Sequence, residues 1–354
     1  MHAMPSRGSL PLTSRGARGL HRSKREGYID YNAWMRIFMA CPAPPRSRRG
    51  NRVTAVRWAD LLRQLGHDVH VGQDYDDSPA DLVVALHARK SAAAVAAFRE
   101  TYPDRPIVVC LTGTDVYSDL PAGDADAIRS LDTADRIVVL QHLAMDALQP
   151  AWRRKARTIL QSAEPLTNPP AKSSRAFEVC VIGHLREEKD PFRTAYALSH
   201  IPAESRIRIR HAGGVYAAKW ADDARTLMER EPRYRWLGEL PNGEARQVLA
   251  RSRLMVISSR LEGGANVVSE AIVLGTPILA SRIPGNVGLL GENYPGYFPA
   301  EDEKALAELM LRAEREPSFY RRLENACDAL QPLFRPDREL DAWAKLLDEA
   351  SGRR

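Results

Sequence analysis

From residue 35 onward, short apolar runs alternate with amphipathic segments, and this pattern leaves few folds open to the chain. Strands are expected at 36–40, 68–72, 81–86, 106–111 and 136–140, separated by helices at 53–66, 91–101 and 124–132. Such alternation reads as a parallel sheet with helices on both faces. It pauses over 161–174, a polar stretch containing prolines, and resumes with strands at 177–182, 206–210, 234–237, 254–258 and 276–281. The expected class is therefore α/β: two doubly wound, Rossmann-like domains, 35–165 and 166–334, facing a cleft at the carboxyl ends of their strands. Over 335–354, Pro336 can start a helix whose Leu340, Trp343, Leu347 and Ala350 share one face, suited to packing back on the first domain.

At 354 residues the chain has material for two such domains, each with its own core. Its net charge of +6 sits mostly in residues 1–34, where six basic side chains face two acidic ones. The remainder lacks the basic excess of a nucleic-acid binder. That tail has no periodic apolar pattern and is expected to be disordered. A strand begins directly after Met35, making Met35 a candidate true start and an Arg-rich transit peptide the alternative. Cys41, Cys110, Cys180 and Cys327 form no CxxC pair, so neither a zinc site nor a disulfide framework is indicated, and a cytoplasmic setting fits. Cys41 reads as a small buried thiol. The longest apolar stretches fall well short of a membrane span.

The chemistry concentrates at strand ends. Glu262-Gly263-Gly264-Ala265-Asn266-Val267 follows the strand at 254–258 and opens a helix that carries Glu270 and should stop at Gly275. With Asn266 as helix cap, the next backbone N–H groups would point outward and could bind a diphosphate. Glu270, one turn on, would reach a ribose. Gly263 and Gly264 would let backbone approach the ligand. After the strand at 177–182, Gly183, His184, Arg186 and Lys189 supply a turn and two cations that could neutralise a leaving group. A charged loop laced with ion pairs is the plainer reading of the same residues.

On the first domain, Arg46, Arg48, Arg49, Gly50, Asn51, Arg52 and Thr54 lead from the first strand into its helix, and His87, Arg89 and Lys90 follow the strand at 81–86. Two cationic loops in equivalent positions argue for an anionic acceptor, although either run alone reads as a solvated face. Thr112, Thr114 and Asp115 stand at the same rim. Asp115 is either a base or a loop cap. Asp124 and Asp126 resemble a metal-chelating pair but sit at a helix start and read as caps; no metal site is expected. Gly213, after the strand at 206–210, either touches the donor or forms a plain turn.

In this order these residues resemble a family 4-like glycosyltransferase of the GT-B fold. The resemblance implies that Glu270 holds the donor ribose, Lys189 the diphosphate, and Glu262 with the 263–266 turn the transferred sugar. It also places His184 where the family usually has arginine, with Arg186 able to take over. More narrowly, 50–58, 87–92, 111–117, 183–191 and 283–286 resemble the selenosugar synthases of selenoneine biosynthesis. That resemblance implies transfer from a UDP-sugar, typically UDP-N-acetylglucosamine, to selenophosphate, giving a 1-selenosugar, UDP and phosphate. It further implies a functional link to a selenophosphate synthase and an ergothioneine-synthase-like enzyme, while the charge distribution and the short apolar runs argue against a nucleic-acid or membrane partner. Selenium is already a strong nucleophile, so holding the anion and stabilising departing UDP would suffice. Phosphate loss would involve His87 or Asp115. A transferase acting on another anionic acceptor and a non-catalytic sugar-nucleotide-binding regulator remain as alternatives.

Overall fold

The computed structural model describes residues 34–47 and 49–352; apart from Trp34, the expected basic tail lies outside the described residues, as does Arg48. Two six-stranded, wholly parallel sheets form the framework. The first contains β1 (Arg36–Ala40), β2 (Asp68–Gly72), β3 (Leu82–Leu86), β4 (Ile107–Cys110), β5 (Arg136–Val139) and β6 (Ala156–Thr158), in the order β2-β1-β3-β4-β5-β6. The second contains β7 (Phe177–Ile182), β8 (Ile207–Ala212), β9 (Tyr234–Trp236), β10 (Leu254–Ile257), β11 (Ile278–Ser281) and β12 (Tyr297–Phe298), in the order β12-β11-β10-β7-β8-β9.

The central strands are rich in Ile, Val, Leu and Ala because helices cover both sheet faces; Leu82–Leu86 and Ile107–Cys110 are buried at every position. The helix Gly50–Gln64 shows the matching pattern, burying Thr54, Ala55, Trp58, Ala59, Leu61 and Leu62 as one stripe. It starts three residues earlier than the sequence suggested, so Gly50, Asn51 and Arg52 are its first turn rather than a loop.

Strand order reverses direction between β1 and β3 in the first sheet and between β7 and β10 in the second. Loops leaving neighbouring strands at such a point diverge and open a crevice. The loops after β1, β3, β7 and β10 are among those that the sequence marked. The C-terminal helix Pro336–Ala350 returns to the first half as expected: Trp343 meets Trp58 edge to face at 4.8 Å, both fully buried.

Missed from the pattern were the edge strands β6 and β12 and the long helices Glu303–Arg315 and Pro317–Leu330. Predicted terminators held where they are local. Gly275 takes φ +65 one residue past the C-cap position of the helix Asn266–Val273, and Asp124 caps its helix by accepting the Ala127 N–H at 2.9 Å. Cys41, Cys110, Cys180 and Cys327 are all free and buried. Among the described residues, no helix is long and apolar enough to cross a membrane.

Candidate active site

These four loops, together with those after β4 and β8, line a cavity of about 380 Å³. Its second-half wall comprises Gly183, His184, Arg186, Lys189, Tyr216, the whole 261–267 loop and Glu270; its first-half wall includes Arg49, Gly50, Asn51, His87, Lys90, Thr112 and Thr114. A larger, more apolar space of about 620 Å³ adjoins it along Val53, Ile182, Gly183, His184 and Asn242, and continues past Leu240 and Ala212.

Lys189 and Glu262 meet: Nζ donates to Oε1 at 2.5 Å, and the Ser259 hydroxyl donates to the same oxygen at 2.5 Å. Glu262 is only 7% exposed, so the buried carboxylate is satisfied by an ammonium and a hydroxyl. Asp190 takes left-handed backbone, φ +43, directly after Lys189. The Ser258 hydroxyl donates to the Asp190 carbonyl at 2.9 Å, fastening the lysine turn to the end of β10. Glu270 lines the cavity one turn into its helix. Burial pushes its carboxyl up, and a 3.4 Å hydrogen bond from Asn242 Nδ2 opposes the shift.

Gly183 has open space where a side chain would stand, whereas a Cβ on Gly213 would strike the Gly183 carbonyl. Gly213 therefore buttresses the turn from behind and lines only the adjoining cavity. His211 fixes the same turn, donating from Nε2 to the Gly183 carbonyl at 3.1 Å while Nδ1 accepts from the Tyr234 hydroxyl at 2.9 Å. His184 accepts the Gly214 N–H at Nδ1 (3.1 Å), so the neutral ring carries its proton on Nε2.

Several expectations are corrected. Asn266 is the first helical residue, not the cap, and makes no capping hydrogen bond at the cap position, which Ala265 occupies. Its side chain turns to the first half, accepting from Arg57 Nη1 at 2.9 Å and donating to Thr54 Oγ1 at 3.3 Å. Gly263 and Gly264 serve contact between the halves rather than a ligand. A Cβ on Gly263 would enter the backbone of Thr112 and Gly113, one on Gly264 would strike Leu140, and one on Gly113 (φ +134) would lie 2.7 Å from Gly263 N.

Thr54 touches the cavity, but its hydroxyl is committed to Gln161 Oε1 at 2.8 Å. Asp115 is a loop anchor and not a base. Fully buried, it accepts backbone N–H groups from Ala88 (3.1 Å), Thr112 (2.9 Å), Gly113 (2.7 Å) and Val116 (3.1 Å).

His87, held at φ +73, is equally unsuited to be a base. Nδ1 accepts the Lys90 N–H at 3.4 Å, leaving Nε2 to donate to Thr114 Oγ1 at 2.8 Å, and burial pushes the imidazole down. Its effect is to aim the Thr114 hydroxyl proton elsewhere. Arg52 lines the adjoining space instead of this cavity. Arg89 lines neither of these two spaces and pairs with Asp119 at 3.0 Å. Lys90 does line the cavity, its ammonium pushed down by burial and by Arg89, with Arg186 adding to the effect across the gap.

Sequence reasoning passed over the residues that join the halves. Gln161 donates to the Gly264 carbonyl at 2.8 Å, and Arg57 reaches Gln161 Oε1 at 2.6 Å and Glu339 Oε2 at 3.2 Å. Tyr216 was missed too; an isolated exposed aromatic carries no sequence signal. Among the described residues, no three His, Cys, Asp or Glu side chains group so as to hold a metal ion.

Residues 164–328, which carry the Gly183–Lys189 and Glu262–Glu270 segments, match the family described as glycosyl transferases group 1. The matched stretch is thus similar to a group 1 glycosyltransferase domain. The protein is 24% identical over 313 residues to glycosyltransferase 1 domain-containing protein 1 of Xenopus tropicalis, covering 81% of this chain and 89% of that one. A shorter stretch of 79 residues is 33% identical to the putative teichuronic acid biosynthesis glycosyltransferase TuaC of Bacillus subtilis, covering 22% and 20% of the two chains.

Among solved structures, sucrose-phosphate synthase of Thermosynechococcus elongatus matches with a TM-score of 0.74 at 15% identity, over 90% of this chain and 99% of that one. HepE of Anabaena, solved with UDP and glucose, matches with a TM-score of 0.69 at 15% identity, over 89% and 100%. The fold is thus of the GT-B type along about 90% of the chain.

Proposed function

We propose that this glycosyltransferase moves a hexosyl or N-acetylhexosaminyl group from a UDP-sugar to a small, multiply charged oxyanion, and that the acceptor is selenophosphate. The carrying observation is a single cavity with Lys189, Glu262 and Glu270 on one wall and Lys90, Arg49 and the N-terminus of the helix Gly50–Gln64 on the other. A neutral hydroxyl acceptor needs no such wall, whereas an anion gains from both the cations and the outward N–H groups of the helix. HepE, solved with UDP-glucose, supports the donor class, and the motif resemblance supports the acceptor.

In this reading Glu270 binds the ribose, the diphosphate lies over Gly183, and the nucleobase extends into the more apolar space beside Leu240. Lys189 leaves Glu262 for the diphosphate, and charge on the departing oxygen is met by Lys189 with Arg186, without a metal ion. Selenium attacks the anomeric carbon as the bond from that carbon to the diphosphate oxygen breaks. The first products are a sugar–selenium–phosphate and UDP. Water then cleaves the selenium–phosphorus bond, giving phosphate and the 1-selenosugar.

Incubation with UDP-N-acetylglucosamine and selenophosphate tests this. UDP and a selenium-bearing sugar should form together, and only with both substrates present. Absence of the selenosugar while UDP still binds rejects the acceptor; absence of UDP binding rejects the donor.

A further inference from the structure

Tyr216 stands where the two walls meet. The residue is 44% exposed at the cavity rim, on the loop after β8. The Arg49 guanidinium, from the first half, lies 4.6 Å from the ring centroid, and that of Arg186, from the second, lies 5.4 Å away. The His184 ring meets it edge to face at 5.7 Å. One aromatic plane therefore ties two cations from opposing walls together at the entrance of a cavity that also holds Lys90 and Lys189.

We infer that Tyr216, with Arg49 against it, is a specificity-determining closure that limits the acceptor to an anion of about phosphate size and keeps water from the reacting sugar. The inference rests on the donor-and-anion reading of the cavity. A guanidinium stacked on the ring stays charged and can turn its N–H edge to an oxyanion, so the contact orients Arg49 without neutralising it, while Arg186 also faces the Glu188 carboxylate, 3.8 Å from its Nε. An acceptor with a bulky ester arm would have to part Arg49 from the ring. The floor below is fixed by backbone contact between Gly263 and Thr112–Gly113, so the rim is the adjustable side.

The test compares Tyr216→Ala, Arg49→Ala and Tyr216→Phe with the unaltered protein. UDP and selenosugar are measured together, and inhibition by inorganic phosphate and by glycerol 3-phosphate is measured in parallel. The alanine variants should release UDP in excess of product by between about threefold and about thirtyfold, the range a cation–π contact spans. They should also become open to glycerol 3-phosphate. Tyr216→Phe, which retains the ring, should restore coupling.

Calorimetric titration with UDP separates the readings. Equal UDP affinity in all four proteins with a shifted product ratio supports the closure. Equal affinity with an unshifted ratio, or a UDP affinity that falls with the ring, overturns it. UDP that fails to bind the unaltered protein overturns the donor reading and the closure together.

Discussion

Lys189 Nζ sits 2.5 Å from Glu262 Oε1, so the cation assigned to the donor's diphosphate is held by the carboxylate assigned to the donor's sugar. One must release the other before either can act on a substrate. With its partner gone, Glu262 would be left nearly buried, with the Ser259 hydroxyl as its remaining hydrogen-bond donor at 2.5 Å. Glu262→Gln should therefore tighten UDP binding by about 1 kcal/mol, since the lysine no longer has to leave an ion pair, while turnover falls. Lys189→Ala should lower kcat/KM by about 10²–10³, or about 2–4 kcal/mol. Calorimetry and steady-state kinetics on both variants check the pair; weaker UDP binding to Glu262→Gln would break the exchange argument.

Gly263→Ala should separate the halves. Its Cβ would enter the backbone of Thr112 and Gly113, which cannot move aside as a side-chain end can. Overpacking of this kind costs about 1–3 kcal/mol, here charged to the closed arrangement rather than to either sheet. Small-angle scattering should show a larger radius of gyration with helical content unchanged, and activity should drop. Scattering indistinguishable from that of the unaltered protein would mean the contact does not hold the closure.

Glu339 is 2% exposed. It accepts from Trp58 Nε1 at 2.6 Å and, at Oε2, from the Ser162 N–H at 2.8 Å and hydroxyl at 2.5 Å, beside Arg57. Removing the carboxylate leaves the Trp58 indole N–H and the Ser162 N–H without their acceptor and Arg57 without its counter-charge. Glu339→Ala should cost about 3–5 kcal/mol by urea denaturation. It should also expose the C-terminal helix to proteolysis, with Glu339→Gln milder.

That glutamate shows where the sequence stopped being readable. On an amphipathic helix a carboxylate beside Leu340 reads as solvated, because its burial depends on Trp58 and Ser162 from distant segments. Asn266 was misread for the same reason: its sequence context favours a cap, but Arg57 and Thr54 offer it better partners. Gly-Gly at 263–264 signals close approach without naming what approaches. Local devices were legible: the Gly275 stop, the Asp124 cap and the apolar strands carry their own physics in a few residues. Strands β6 and β12, three and two residues long, are too short for any period to register. The cavity's make-up was legible at loop level, since all four loops converge, but not residue by residue; Arg52 and Arg89 look like their neighbours in sequence and face elsewhere.

His211 gives a pH dependence with a definite sign. Burial pushes its imidazole down from 6.5 to about 4, so below pH 6.5 the unfolded chain takes up a proton that the native chain refuses. The stability this neutrality confers is whole above pH 6.5 and is lost as pH falls from 6.5 towards 4, by about 3 kcal/mol. His87, also pushed down by burial, acts in the same direction. Urea midpoints from pH 7 to 4.5 should fall more steeply for the unaltered protein than for His211→Gln. Parallel curves would place the acid sensitivity in other groups.

Lys90 and Arg89 are adjacent in sequence and should behave differently. Lys90 lines the cavity with its ammonium partly desolvated, whereas Arg89 is 45% exposed at its side chain and engaged with Asp119 at 3.0 Å. A cation that meets the acceptor and not the donor should alter one Michaelis constant. Lys90→Ala should raise the acceptor KM by about tenfold, in line with the loss of one charge-assisted hydrogen bond of about 1.5 kcal/mol, and leave UDP affinity unchanged. Arg89→Ala should change the acceptor KM by less than about twofold, because the surface pair it breaks contributes little. Initial rates with each substrate varied against saturating partner decide the matter. If both variants raise both constants alike, Lys90 supports the loop rather than the anion, and the acceptor wall must be sought among Arg49, Arg186 and the first turn of the helix Gly50–Gln64.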